Sequence, residues 1–142
     1  MKSGGDLVAQ FLGACGVLHV FGVISVHNLP ILDAIQRYGK TRYVPARSEA
    51  GAVNMADGYA RVSGGLGVVV TSTGPGAGNS AGGMLEALTA GTPLLHLTGQ
   101  IEIPYLDQGR AYLHEAKDQL GMLSAVSKQA FRVNSAELLV DV

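Results

Sequence analysis

The stretch Leu66–Asn79, LGVVVTSTGPGAGN, decides the fold. Leu66–Thr71 is apolar or β-branched without alternation, the pattern of a strand buried on both faces of a parallel sheet. Ser72 and Thr73 end the run, a glycine- and proline-rich turn spans Gly74–Gly78, and a helix continues to about Thr89. Glycines at a strand-to-helix turn let backbone approach a ligand closely, and the helix N-terminus favours an anion or an acceptor atom. A dinucleotide loop would need G-x-G-x-x-G, but counting from Gly74 puts Asn79 at the third glycine and counting from Gly76 puts Ala81 there. The acid expected about twenty residues later is missing too, as is the Gly-Lys-Ser/Thr of a P-loop. The turn contacts something other than a nicotinamide cofactor.

Outward from this stretch, helix-like and strand-like segments alternate. Leu7, Val8, Phe11, Leu12 and Cys15 recur at helical spacing between Ser3/Asp6 and Gly16. Leu18–Val23 reads as a strand, and Asn28 caps a helix with Pro30 just inside and Gly39 at its end. Tyr43–Pro45 is a short strand and Ser48–Val62 a helix rich in small residues. Pro93–Thr98 is a second buried strand, followed by a loop over Gly99–Gly109. The remainder predicts a helix over Glu115–Val126, a strand over Lys128–Val133, and a helix over Ala136–Val142 capped by Asn134 or Ser135. Such an order predicts an α/β fold, a three-layer α/β/α with a mainly parallel, doubly wound sheet. Ligands then bind beyond the carboxyl ends of the strands. The segments concerned are Val23–Asn28, Arg47–Gly51 and Ser72–Asn79.

With 142 residues the chain has the length of one domain, expected to be incomplete at its final apolar helix. Ten Lys and Arg against eleven Asp and Glu leave a net charge of -1, which offers nucleic acid or an anionic membrane no basic surface. One cysteine excludes an internal disulfide and a cysteine-based zinc site. No metal-ligand spacing of His, Asp and Glu occurs, so no metal ligand is expected in this chain. The N-terminus lacks the unbroken apolar segment of a secretory signal, so a cytoplasmic location is expected. At 15% charged residues, much of the surface is expected to be covered by a partner. Cys15, Met55 and Met84 read as core, His19 as a strand end, and His96 as a hydrogen-bonded structural histidine.

Arg47–Arg61, RSEAGAVNMADGYAR, places Glu49 in the first turn of a helix, where the macrodipole favours a carboxylate. Its neighbours Ala50, Gly51, Ala52, Val53 and Ala56 are apolar. Desolvation by such neighbours makes a carboxyl hold its proton more tightly and fits it for acid–base work near neutral pH. The same small residues let this helix pack closely on another.

These residues resemble the N-terminal, pyrimidine-binding domain of thiamine-diphosphate-dependent enzymes, most of all the acetolactate-synthase-type branch. FGVISVHNLPILDAI (21–35), RSEAGAVNMADGYAR (47–61), GVVVTSTGPGAGN (67–79), TPLLHLTGQ (92–100) and VSKQAFRV (126–133) are similar to five of its segments, in order and spacing. The resemblance implies that Glu49 hydrogen-bonds N1′ of the cofactor's aminopyrimidine and promotes the imino tautomer that takes the thiazolium C2 proton. It implies that Gly74, Pro75 and Gly76 border the pyrimidine, with Asn79 capping the helix or facing the cofactor. Ile24 and Ser25 stand where the family has Pro-Gly beside cofactor or substrate, and Ser48 stands where it often has His. His27 in that first loop is a candidate to face substrate. His114 and Glu115 fall on the family's Phe and Gln beside the substrate, and an acid there disfavours a second anionic keto acid.

The family's diphosphate and Mg²⁺ are held by another domain with a GDG…N motif that this sequence lacks. The resemblance therefore implies half a cofactor site, completed by another subunit in a homodimer or homotetramer. The implied activity is decarboxylation or ligation of a small 2-keto acid, a lyase or transferase reaction, with this chain inactive alone. Two alternatives share the fold: a non-catalytic or regulatory domain, and a thiamine-dependent enzyme acting on an acyl-CoA.

Overall fold

Val68, Val69 and Val70 are fully buried, and the strand that carries them is central in a four-stranded sheet. The computed structural model describes residues 2–140. Its strands are β1 (His19–Gly22), β2 (Arg42–Pro45), β3 (Gly67–Thr71) and β4 (Leu94–Thr98), in the order β2-β1-β3-β4. All pairings are parallel, with Phe21 opposite Val69 and Val69 opposite His96. The chain runs from β1 to β2 on one side, then crosses back to β3 on the other. That reversal makes the gap between the ends of β1 and β3 the topological switch point.

Period-two alternation sends neighbouring side chains to opposite faces. Val20, Val68 and Val70 meet α1 (Gly4–Ala14) and α2 (Leu29–Tyr38) through Val8, Leu12, Leu32 and Ile35. Phe21 and Val69 meet α3 (Glu49–Ser63) and α4 (Pro75–Ala90) through Ala52, Val53, Ala56 and Met84. Helices thus cover both faces, the three-layer α/β/α arrangement expected. Ser3 and Asp6 form a reciprocal capping box on α1, and Gly39, Gly64 and Gly91 end α2, α3 and α4 in the left-handed region.

Beyond β4 the structure departs from the expected elements. The helix expected over Glu115–Val126 is a six-residue α5 (Gln119–Ser124), because residues up to Asp118 extend the loop from Gly99 through one 3₁₀ turn at Ile103–Tyr105. The strand expected over Lys128–Val133 is irregular and does not join the sheet. The final helix is one 3₁₀ turn, Leu138–Val140, and the last two residues of that expectation lie outside the described ones. Cys15 is exposed as the C-cap of α1, and Met55 is more than a third exposed on α3; neither is core, whereas Met84 is. The glycine turn is shorter than expected, since α4 already starts at Pro75. No described helix is long and apolar enough to cross a membrane.

Candidate functional site

The loops leaving β1, β2 and β3 gather at one end of the sheet. After β1, Asn28 occupies the N-cap position of α2 without bonding the helix. Its fully buried side chain instead accepts from Ser25 N–H at 2.9 Å and donates to the Val23 carbonyl at 2.8 Å, folding the loop on itself. Ile24 and Val26 project from that loop, 60% and 71% exposed. Ser25 Oγ is buried with no hydrogen-bond partner.

After β2, Ser48 is the N-cap of α3, its hydroxyl accepting from Gly51 N–H at 3.1 Å. That explains a serine here: the helix gains a cap, worth about 1 kcal/mol. Glu49 follows in the first turn, half-buried. The desolvation expected of it is only partly supplied within this chain.

After β3, the turn is built for close approach. Gly74 has φ +54°, a conformation that disfavours side chains, and a Cβ there would collide with the His114 carbonyl. Two residues on, a Cβ on Gly76 would lie 2.7 Å from Ser72 Cβ and 3.2 Å from Glu49 Oε1. Asn79, one turn into α4, donates its amide to Glu49 Oε2 at 3.2 Å. Four of the expected site residues are therefore brought together: Gly74, Gly76, Glu49 and Asn79. Asn79 does not cap α4; it holds the acid. Pro75 lies on the exposed rim.

His27 and His114 also meet, with ring centroids 5.3 Å apart. Burial, then the neighbouring His114, pushes the His27 pKa below its usual 6.5, and His27 Nδ1 is buried with no partner. Glu115, the residue after His114, bonds its own loop. Its oxygens accept from Gly109 N–H at 3.1 Å and Tyr112 N–H at 2.9 Å, and it lines a separate cavity of about 580 Å³. His96 on β4 pairs through Nε2 with Thr71 Oγ1 at 2.8 Å, and burial pushes its pKa down to about 4. It is the structural histidine expected.

Two residues here escape a reading of the sequence. Asn28 looks like a helix cap because Pro30 follows it. Gln119 is 5% exposed, yet sits one residue inside a short helix where an uncharged amide is ordinarily a surface residue. Its Oε1 accepts from Thr73 Oγ1 and Gly74 N–H, both at 2.7 Å, and its Nε2 donates to the Gly99 carbonyl at 2.9 Å. Only Asp118, which caps that helix through Gly121 N–H, marks the place.

A bound aminopyrimidine needs a carboxylate for a ring nitrogen and room for a flat ring. Glu49, with one oxygen held by Asn79 and the other turned to the space that Gly76 leaves, meets both needs. The unpartnered hydroxyls of Ser25 and Ser72, at the ends of β1 and β3, add polar groups across the switch point. Among the described residues no cluster of His, Cys, Asp or Glu could hold a metal ion.

Residues 2–122 match the family described as "Thiamine pyrophosphate enzyme, N-terminal TPP binding domain". The acetolactate synthase large subunit of Lactococcus lactis subsp. lactis is 38% identical over 131 residues, 92% of this chain and 22% of the relative. That of Haemophilus influenzae is 39% identical over 135 residues, 95% and 23% of the respective chains. A probable 2-ketoarginine decarboxylase of Pseudomonas aeruginosa is 36% identical over 138 residues, 97% and 24%. The chain thus spans less than a quarter of the length of these curated relatives. It belongs to the thiamine pyrophosphate enzyme family, as an N-terminal cofactor-binding domain akin to that of the acetolactate synthase large subunits.

Proposed function

We propose that this chain forms the pyrimidine-binding half of a thiamine diphosphate site in an enzyme that decarboxylates or ligates a 2-keto acid. The observation that carries the proposal is the Glu49 carboxylate, tied to Asn79 and turned to Gly76 at the switch point of the sheet. Glu49 holds and returns a proton at the oxygen turned to Gly76, while Asn79 keeps the carboxylate in place. The backbone of Gly74–Gly76 borders the ring, and the hydroxyls of Ser25 and Ser72 supply hydrogen bonds beside it. When bound, the cofactor supplies the electron sink for breaking or forming a carbon–carbon bond next to a keto group. His27, whose pKa burial and then the neighbouring His114 lower, and His114 contact the substrate as hydrogen-bonding groups.

The diphosphate and its Mg²⁺ belong to a second domain, from another subunit of a homodimer or homotetramer. Two features support that assembly. Glu49 is only half-buried within this chain, and the apolar Ile24, Val26 and Leu29 stand exposed in and beside the first loop. Contact with a second surface removes both from water.

The test is cofactor dependence in the assembled enzyme. Stripped of cofactor, it should neither decarboxylate nor ligate pyruvate or longer 2-keto acids, and thiamine diphosphate with Mg²⁺ should restore turnover. An assembly that shows no saturable thiamine diphosphate binding by calorimetry overturns the proposal.

A further inference from the structure

We propose that Gln119 is a positioning residue for the cofactor turn: it clamps Thr73–Gly74 at the end of β3 to Gly99 at the end of β4. The assignment of that turn to a cofactor rests on the function proposed above; the clamp itself rests on geometry. Gln119 makes three bonds with its amide, two accepted at Oε1 and one donated from Nε2. Those bonds reach two neighbouring strand ends from a third segment, α5, which lies forty-five residues beyond Gly74.

Gly74 N–H depends on this contact most, since the Thr73 hydroxyl also reaches Gln100 Oε1 at 3.3 Å and the Gly99 carbonyl also accepts from Thr98 Oγ1 at 3.4 Å. Gly74 precedes Pro75, which has no N–H, and the first N–H groups of a helix lack partners inside it. Gly74 N–H therefore depends on an outside acceptor, and Gln119 Oε1 supplies it in the buried turn. The same oxygen takes the hydroxyl proton of Thr73, itself fully buried. Left unpaired, the Gly74 amide rearranges rather than stay buried without a partner. The backbone of Gly74 is held in its positive-φ conformation between this amide and the His114 carbonyl. Gly76, the residue facing Glu49, is two positions further along the same backbone, and its N–H bonds to the Thr73 carbonyl at 3.1 Å. Movement of Thr73–Gly74 thus moves the wall of the site without touching Glu49.

The amide is also specific. A carboxylate would keep both acceptor contacts but face the Gly99 carbonyl without a donor, whereas a protonated carboxyl reproduces the donor–acceptor pattern. Methionine keeps the length and removes both functions.

The experiment uses the assembled enzyme and three variants: Gln119→Met, Gln119→Glu and the surface control Gln36→Met. Hydrogen–deuterium exchange without cofactor reads the clamp. In Gln119→Met, amides of the 73–76 segment should exchange about ten- to a hundredfold faster, the size expected when a buried donor loses its partner. Calorimetry with thiamine diphosphate then reads the consequence, a dissociation constant raised about tenfold or more by the same loss. Gln119→Glu keeps the acceptor for Gly74 N–H but loses the donor to the Gly99 carbonyl, so it should fall between wild type and Gln119→Met at pH 8 and approach wild type as pH falls to 6, relative to wild type at each pH. A generally loosened fold would not show that recovery. Unchanged exchange over 73–76 in a folded Gln119→Met overturns the clamp. Faster exchange with an unchanged dissociation constant overturns its role in positioning the cofactor. If wild type binds no thiamine diphosphate, the proposed function fails while the exchange result still decides the clamp.

Discussion

The two helical layers that sandwich the sheet are built from different residues. Beneath one face, α1 and α2 insert Val8, Leu12, Leu32 and Ile35, large side chains that fill space and carry no chemistry. Over the other face, α3 and α4 contribute Ala52, Val53 and Ala56 beside one long side chain, Met84, with Gly83 of α4 set directly against Val53. Small residues let helix backbones approach, and that approach brings the first turn of α3 beside the second turn of α4. Glu49 and Asn79 meet at that point. One layer serves stability, while the other trades apolar area for the placement of a carboxylate. Burial of large aliphatic groups stabilises more per residue, so the site-bearing layer depends on precise contact rather than bulk.

That contrast can be broken or sharpened experimentally. The largest effect should come from Glu49→Gln, which removes the acid–base group and leaves both layers packed. Turnover of the assembled enzyme should fall about 10²- to 10⁴-fold with little change in urea midpoint. In the opposite layer, Leu12→Ala should cost about 2–5 kcal/mol of unfolding free energy, measured by urea titration, yet leave the dissociation constant for thiamine diphosphate unchanged. A shifted dissociation constant there would mean that the layers are not separable.

His96 tests the sheet between them. Its folded pKa, about 4, lies below the 6.5 of an unperturbed imidazole, so between these values the unfolded chain binds a proton that the folded chain does not. Its contribution is thus fully present above pH 6.5 and lost as pH falls toward 4, a loss of at most about 3 kcal/mol. His96→Gln should therefore flatten the difference between urea midpoints at pH 7 and pH 4.5; an equal drop in both proteins would contradict the assignment. Asp6 does not confuse this window. Its pKa, held to about 2 first by Ser3 N–H and then by Arg37, places its own loss of stability at lower pH.

Smaller effects concern the close approach itself. A Cβ on Gly83 would lie 2.8 Å from Val53 Cγ1, so Gly83→Ala should cost about 1–3 kcal/mol and, unlike Leu12→Ala, weaken cofactor binding. Asn79→Ala should lower turnover only about three- to tenfold, since it frees the carboxylate without removing it.

The same physics explains what could be read from the sequence. Through Thr98 the elements are legible, because buried strands such as Val68–Val70 and helices closed by Gly39, Gly64 and Gly91 carry local signals. That Glu49 lies near Gly76 and Asn79 is legible only through the resemblance of two separate segments, which the fold turns into proximity. From Gly99 onward that ceases. Residues Glu115–Asp118 have helical character, but Glu115 bonds backbone N–H groups of its own loop, so the helix starts only after Asp118. The apolar run near Phe131 is strand-like, but no described strand lies beyond β4 for it to pair with, and it does not itself pair with β4. Gln119 and Asn28 were illegible because their partners are mostly backbone atoms, two of Gln119's on distant segments, which no side-chain pattern records.

The central claim concerns one proton. In the assembled enzyme loaded with thiamine diphosphate, exchange of the cofactor's C2 hydrogen for deuterium can be followed by quenched-flow NMR. Glu49→Gln should slow that exchange by at least about 10²-fold while the cofactor stays bound. Exchange at the wild-type rate in that variant would contradict the role assigned to Glu49.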